Sequence, residues 1–175
     1  AAEHLDPYTQ RGIFGDMESG KINADTFRRE LGNMVGRKLS WEECRSGWLG
    51  YVDGLPRQNL EVLRRLKASG HHLILLSNTN PYMMEWAMSA DFDGQGHGVG
   101  DYFDATYLSY EQHLMKPDHK LFKRVLAEER INAAETLFVD DGPKNIIAAA
   151  QLGFKTLCPA NAEEWAGKIE TLLGE

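Results

Sequence analysis

From residue 59 onward, short apolar runs alternate with stretches whose apolar residues recur at helical spacing. The runs have the length of strands, and polar residues, Gly or Pro end them. They lie at residues 72–76, 102–109, 136–139 and 154–157. Because strand and helix alternate, the pattern predicts a Rossmann-like α/β fold with a doubly wound parallel sheet. Its ligand site is expected beyond the carboxyl ends of the strands.

Two adjacent carboxylates follow the third apolar run. Asp140 and Asp141 stand directly after residues 136–139, and Pro143 then opens a helical pattern. Adjacent acids repel each other and are poor strand formers, so a bound cation would explain the pair. The alternative from these residues alone is that one Asp caps the helix while the other is solvated.

Polar side chains also follow the other strand runs. Ser77 and Asn78 come after the first run, and Lys116 follows the second. A hydroxyl with neighbouring amides, an ammonium group and a carboxylate pair supply what a phosphoryl group and its magnesium ion require. The strand ends therefore predict a site that handles phosphate.

These segments resemble three motifs of the haloacid dehalogenase superfamily, whose hydrolases use an aspartate nucleophile. Leu-Leu-Ser77-Asn-Thr-Asn resembles the second motif, Met-Lys116-Pro the third, and Phe-Val-Asp140-Asp141-Gly-Pro-Lys-Asn145 the fourth. The order and rough spacing of the motifs agree as well. The match is most similar to the bacterial members with a helical cap (subclass I), which include sugar-phosphate phosphatases.

The resemblance implies how the first two of these segments would bind substrate. Ser77 would donate a hydrogen bond to a phosphoryl oxygen, with help from the backbone amide of Asn78. Lys116 would neutralise negative charge on both the nucleophile and the transferring phosphoryl group. Ser77 and Lys116 are thus the predicted catalytic residues of this chain.

For the fourth motif the resemblance implies a magnesium site. Asp141 would bind Mg2+ directly, and Asp140 would be a second ligand or a group that orients the ligands. Asn145 stands where relatives often carry another carboxylate, so we assign it only a supporting role.

The family's first motif, Asp-x-Asp on the first core strand, has no counterpart ahead of the second motif. In relatives its first Asp attacks phosphorus and its second acts as general acid and base. The only Asp-x-Asp here, Asp91-Phe-Asp93, follows the second motif and lies in a Gly-rich stretch. We therefore expect an N-terminal segment of a longer protein to supply the nucleophile and the missing central strand. The alternative is a natural protein that lacks the nucleophile and only binds phosphorylated ligands.

Residues 1–55 have a different pattern, in which apolar residues are spaced like the faces of short helices separated by glycines. The resemblance implies that they form a partial helical cap, and that residues 56–175 form the Rossmann-like core without its first strand. Caps in this family exclude water and select the leaving group. Trp41, Trp48 and Tyr51 are candidate substrate contacts, although packing between cap helices is the interpretation we favour.

The resulting functional prediction is magnesium-dependent hydrolysis of a small phosphomonoester, in the class of sugar phosphates, through an aspartyl-phosphate intermediate. A catalytically inactive phosphate-ligand binder is one alternative. Dehalogenation of a 2-haloacid is another, but the paired Asp140 and Asp141 argue against it because that chemistry benefits from an uncharged cradle.

The composition of the chain limits the classes of molecule that the protein is expected to bind. The 175 residues are 42% hydrophobic and carry a net charge of −7, which argues against a nucleic-acid or anionic-membrane surface. No apolar run is long enough to span a bilayer. Cys44 and Cys158 are far apart and lack metal-ligand spacing, as expected for reduced thiols of a cytoplasmic protein. The predicted partner is a small phosphorylated metabolite.

Overall fold

The structure is a computed structural model that describes residues 11–50, 52, 55–160, 163 and 165–173. It divides into two compact units, of which the first ends at His113 and the second begins at Leu114. The boundary between a cap at residues 1–55 and a core at residues 56–175 stays a prediction. Residues 1–10 of that cap, and Tyr51, lie outside the described residues. Among the residues that are described, no helix is long and apolar enough to cross a membrane.

Helices make up the described part of the predicted cap: α1, Ile13–Glu18; α2, Ala24–Val35; and α3, Trp41–Leu49. α2 begins where the Asn23 side chain accepts a hydrogen bond from the backbone N–H of Thr26, and it ends at Gly36, whose φ of 75° is left-handed. A capping box between Ser40 and Glu43 starts α3. Local capping residues therefore set the ends of these helices.

The first unit continues with a pair of parallel strands and three more helices. In chain order these elements are α4, Arg57–Ala68; β1, Ile74–Ser77; α5, Pro81–Ala87; β2, Ala105–Leu108; and α6, Ser109–Gln112. In the β1–β2 pair, Ile74 lies opposite Ala105 and Ser77 lies opposite Leu108. The strand expected at residues 102–109 is shorter than predicted, because Val99–Tyr102 forms a 3-10 helix and α6 begins directly after Leu108.

The second unit contains the other strand pair. Its elements are α7, His119–Glu129; β3, Leu137–Val139; α8, Pro143–Gln151; β4, Lys155–Leu157; and α9, Ala166–Leu173. β3 and β4 are parallel. Phe122 is fully buried and packs edge-to-face against Phe138 and Phe154, with ring centroids 5.2 and 5.9 Å away. The predicted α/β class with parallel strands is confirmed. The described strands form one two-stranded sheet in each unit, and the additional central strand stays a prediction.

An aromatic cluster packs between α1, α2 and α3, the helices of the predicted cap. Trp48 is only 8% exposed, and the ring of Phe14 lies 5.8 Å from it, edge-on. Tyr82 enters this cluster from α5: its hydroxyl donates a hydrogen bond to the carbonyl oxygen of Ala24 at 2.8 Å, and its ring centroid lies 4.3 Å from that of Trp41. Both tryptophans therefore pack within the first unit, as the favoured interpretation expected. The third candidate aromatic, Tyr51, is not among the described residues.

The Asp-x-Asp pair at residues 91–93 has a structural role. The Asp93 side chain is 1% exposed, and its carboxylate accepts hydrogen bonds from the Tyr102 hydroxyl at 2.6 Å and from the backbone amides of Gln95 and His97. Burial of this carboxyl opposes its ionisation, but the hydrogen bonds outweigh that effect and hold the pKa of Asp93 well below its ordinary value. This carboxylate organises the loop that leads into β2.

Glu18, the last residue of α1, is a buried acid of a different kind. It is 8% exposed, and within the described part of the chain its carboxylate has no hydrogen bond or ion pair. Burial without compensating donors disfavours the charged form, and it raises the pKa of Glu18 from the ordinary value of 4.5 to about 7. The ionised form of this residue therefore destabilises the fold at neutral pH.

We expect the Glu18→Gln variant to be more stable than the wild type at pH 8 and equally stable near pH 4. Between pH 4.5 and about 7 the folded protein binds more protons than the unfolded chain, so Glu18 makes stability fall as pH rises through this window. The shift corresponds to a gain of about 3 kcal/mol in the free energy of unfolding at pH 8. Urea unfolding of both proteins at the two pH values measures the difference, in which other titrations cancel. A gain of equal size at both pH values would contradict this account.

Candidate active site

A buried ion pair lies at the carboxyl end of β3. Asp140 follows the last residue of that strand, and its Oδ2 accepts a hydrogen bond from Lys116 Nζ at 2.6 Å. The two side chains are only 7% and 10% exposed. The Lys116 ammonium also lies 5.8 Å from the ring centroid of Phe138 on β3. The predicted lysine thus faces the predicted acid directly.

The second oxygen of the Asp140 carboxylate is held by the turn that follows. Oδ1 accepts hydrogen bonds from the backbone N–H of Gly142 and from Asn145 Nδ2, each at 2.8 Å. A β-carbon at residue 142 would lie 2.9 Å from Oδ1 and 2.8 Å from the Asn145 amide nitrogen, so this close approach requires glycine. Asp140 is consequently fixed in orientation by donors on both of its oxygens.

Asp141 is in a different environment from its neighbour. Its side chain is exposed, and within the described residues no hydrogen bond or ion pair involves its carboxylate. Asp140 lies against Lys116, whereas Asp141, in the bend that follows β3, is exposed. The repulsion between the adjacent acids is thereby relieved for one of them by an internal lysine.

The donor set fits magnesium better than a metal that needs a full protein cage. No group of three or more His, Cys, Asp or Glu side chains that could hold a metal ion occurs among the residues the structure describes. Mg2+ keeps several of its waters and is bound through only one or two protein carboxylates together with substrate oxygens. Asp141, an exposed carboxylate without a protein partner in the described region, has the chemistry that such a site requires.

The predicted phosphate-binding residues lie in the first unit, at the end of β1. Thr79, two residues beyond Ser77, donates its backbone N–H to Ser109 Oγ at 3.0 Å, and Ser109 Oγ donates to the Thr79 carbonyl at 3.2 Å. Ser109 is fully buried, and Asn80 caps α5 by accepting a hydrogen bond from the N–H of Met83. The segment that contains Ser77 and Asn78 is therefore held in place by the first residue of α6.

Sequence reasoning did not assign a role to Ser109. The available signal was a polar residue at the end of an apolar run, the same signal that identified Ser77 and Asp140. Lys116, Asp140 and Asn145 are in mutual contact through the Asp140 carboxylate, whereas Ser77 and Asn78 belong to the other unit. The catalytic and ligand roles of these residues stay predictions.

The family model for haloacid dehalogenase-like hydrolases matches residues 51–153, a span that contains all six predicted site residues. The chain belongs to this family of hydrolases. The matched span runs from ahead of α4 to the end of α8, and thus includes both strand ends described above.

Members of the haloacid dehalogenase (HAD) family resemble this chain over almost its whole length. It is 40% identical to a D-ribitol-5-phosphate phosphatase from Bacteroides thetaiotaomicron, over 99% of this chain and 84% of that protein. A crystal structure of a predicted HAD-like hydrolase from Porphyromonas gingivalis superposes with a TM-score of 0.93 at 37% identity, covering 99% of this chain and 83% of the other. A HAD family enzyme from B. thetaiotaomicron, crystallised with magnesium and inorganic phosphate, has a TM-score of 0.84 at 34% identity, with coverage of 90% and 79%.

We expect Lys116→Met to destabilise the protein by roughly 3 to 5 kcal/mol, because it leaves the buried Asp140 carboxylate without its cation. Lys168→Met is the matched control: it removes the cation of an exposed pair with Glu163, in which the side chains are 51% and 32% exposed. The control should lose less than about 1 kcal/mol. Urea unfolding at neutral pH compares the two, and equal losses would mean that the Lys116–Asp140 pair is not buried in solution.

Proposed function

We propose that this HAD family protein is a magnesium-dependent phosphatase of a small phosphorylated metabolite, in the class of sugar and sugar-alcohol phosphates. The observation that carries the proposal is the Lys116–Asp140 pair, 2.6 Å apart, with the exposed Asp141 beside it. The similarity to a D-ribitol-5-phosphate phosphatase supports both the reaction and the substrate class.

In this proposal the phosphoryl group is bound by residues from two strand ends. Ser77 Oγ and the backbone N–H of Asn78 donate hydrogen bonds to phosphoryl oxygens. The Lys116 ammonium neutralises charge that the substrate phosphate brings, and Asp140 holds that ammonium in position through its own fixed carboxylate. Preorganised donors of this kind stabilise the charge of a transition state without reorganisation.

Asp141 is the proposed direct ligand of Mg2+, with Asp140 and Asn145 as the groups that orient the turn around it. When bound, the ion would neutralise charge on the phosphoryl oxygens. Asp140 is already engaged with Lys116, Gly142 and Asn145, which favours its orienting role over direct coordination.

The nucleophile is proposed to come from an N-terminal segment outside this sequence. The Asp-x-Asp at residues 91–93 does not fit the role, because Asp93 is buried in hydrogen bonds within a loop ahead of β2. In the proposed reaction an aspartate carboxylate forms a bond to phosphorus as the ester P–O bond breaks, and the leaving oxygen takes a proton from the second Asp of that motif. Water then cleaves the aspartyl phosphate to release inorganic phosphate.

Two alternatives differ in what they require. A non-catalytic binder of phosphate esters would use the same Ser77 and Lys116 contacts without turnover. A 2-haloacid dehalogenase would work without metal, and the exposed, unpartnered carboxylate of Asp141 argues against that reaction.

We also propose a cytoplasmic location, since Cys44 and Cys158 are both free thiols.

The intact gene product should release inorganic phosphate from D-ribitol 5-phosphate in the presence of Mg2+, and EDTA should abolish this activity. Asp141→Asn should lower kcat/KM by roughly a hundredfold or more, because it removes the charge that binds the ion. Glu135→Gln, an exposed acid in the same unit, is the control and should retain wild-type activity. Tight binding of the ester without phosphate release would favour the non-catalytic alternative, and full activity of Asp141→Asn would remove the metal assignment.

A further inference from the structure

The C-terminal end of α1 lies against α6 within the first unit. The two helices are in contact, and Gly20, with a φ of 71°, approaches α6 so closely that a β-carbon there would overlap the Tyr110 carbonyl oxygen and the His113 ring. Glu18 is two residues ahead of this contact and is itself 8% exposed. It therefore occupies the seam between the cap helices and the element that follows β2.

That seam is next to the proposed phosphate-binding segment. α6 begins at Ser109, whose hydroxyl makes hydrogen bonds with the backbone N–H and carbonyl of Thr79. Ser77 and Leu108 are opposite each other at the carboxyl ends of β1 and β2, so α6 starts at the edge of the sheet where Ser77 lies. Residues at the contact between α1 and α6 are therefore candidates to meet the other end of a substrate whose phosphoryl group is bound by Ser77.

Glu18 differs from the other buried acids in having no donor. Asp140 accepts hydrogen bonds from Lys116, Gly142 and Asn145, and Asp93 is likewise surrounded by donors. The described residues provide no hydrogen bond or ion pair to Glu18. Nearly all buried polar groups in native proteins have a hydrogen-bond partner, and a carboxylate without a protein donor is open to donors from water or from the hydroxyl groups of a ligand.

We infer that Glu18 binds hydroxyl groups of the substrate's unphosphorylated end and selects polyol and sugar phosphates. The inference rests on the proposed phosphatase function and names a residue that sets its specificity. A carboxylate is an acceptor with about four lone-pair sites, so it suits two neighbouring hydroxyls of one carbon chain. Phe14 lies one turn earlier on the same helix and packs on Phe27 and Trp48, so Glu18 stands one helical turn from an aromatic cluster.

The test compares two substrates that share a phosphoryl group and differ in their leaving group. Wild type, Glu18→Met and Glu18→Gln versions of the intact gene product are assayed with Mg2+ on D-ribitol 5-phosphate and on p-nitrophenyl phosphate, which has no hydroxyl. Met matches the length of Glu and removes its acceptor oxygens. For Glu18→Met we expect kcat/KM on ribitol 5-phosphate to fall roughly ten- to a hundredfold, mainly through KM, with p-nitrophenyl phosphate hydrolysis changed by less than about twofold.

Glu30→Gln is the matched control, because Glu30 is a part-exposed cap acid on α2 without a hydrogen bond or ion pair among the described residues. It should behave as wild type on both substrates. Equal losses on the two substrates in Glu18→Met, or no loss on either, would overturn the inference.

A failure of the proposed phosphatase function gives a different experimental result from a failure of the Glu18 inference. If the wild type hydrolyses neither ester, the phosphatase assignment fails, and calorimetry then compares the binding of ribitol 5-phosphate with that of inorganic phosphate. Weaker binding of ribitol 5-phosphate alone in Glu18→Met, by roughly tenfold or more, would support the role of Glu18 in a binding protein. Unchanged affinity for both ligands would overturn it.

Discussion

A buried carboxylate has to be compensated, and the way this protein meets that constraint organises its candidate site. At Asp140 the compensation is complete: an ammonium donates to one oxygen, and a backbone amide and a side-chain amide donate to the other. These donors come from the turn after β3 and from the segment ahead of α7. The negative charge of Asp140 is therefore what joins Lys116 to the β3–α8 turn, and the local geometry follows from that single group.

The proposed phosphate-binding segment at the end of β1 depends on a different set of contacts. Ser109 holds Thr79 from one side, and α5 connects the segment to the cap helices from the other. Tyr82 of α5 donates to the carbonyl of Ala24, and Trp41 donates its indole N–H to the carboxylate of Glu85. Helix α5, which begins shortly after Ser77, is therefore hydrogen-bonded to both α2 and α3.

The sequence was sufficient to predict the fold class and the positions of the polar residues at the strand ends, because both depend on local patterns. Apolar runs followed by helical spacing predicted parallel strands, and Asp140 and Asp141 were conspicuous because acids are disfavoured there. It did not show that Lys116 pairs with Asp140, since that contact joins residues 24 positions apart. Nor did it assign a role to Ser109 or show that Glu18 is buried, because the importance of both residues lies in burial and in the presence or absence of donors. Those properties arise only when distant elements pack together.

Asp140 is paired with a lysine and Asp141 is exposed. In the proposed function, this difference accounts for anion binding by an acidic protein. With a net charge of −7, the chain as a whole repels a phosphate ester. Burial strengthens the Lys116–Asp140 interaction, whereas Asp141 stays exposed and is the proposed ligand of a divalent cation. The Lys116–Asp140 pair carries no net charge, so in the proposed function the ion bound by Asp141 adds the positive charge that an ester dianion needs beyond the Lys116 ammonium. Asp141 is therefore the residue through which the proposed function makes ester binding depend on metal.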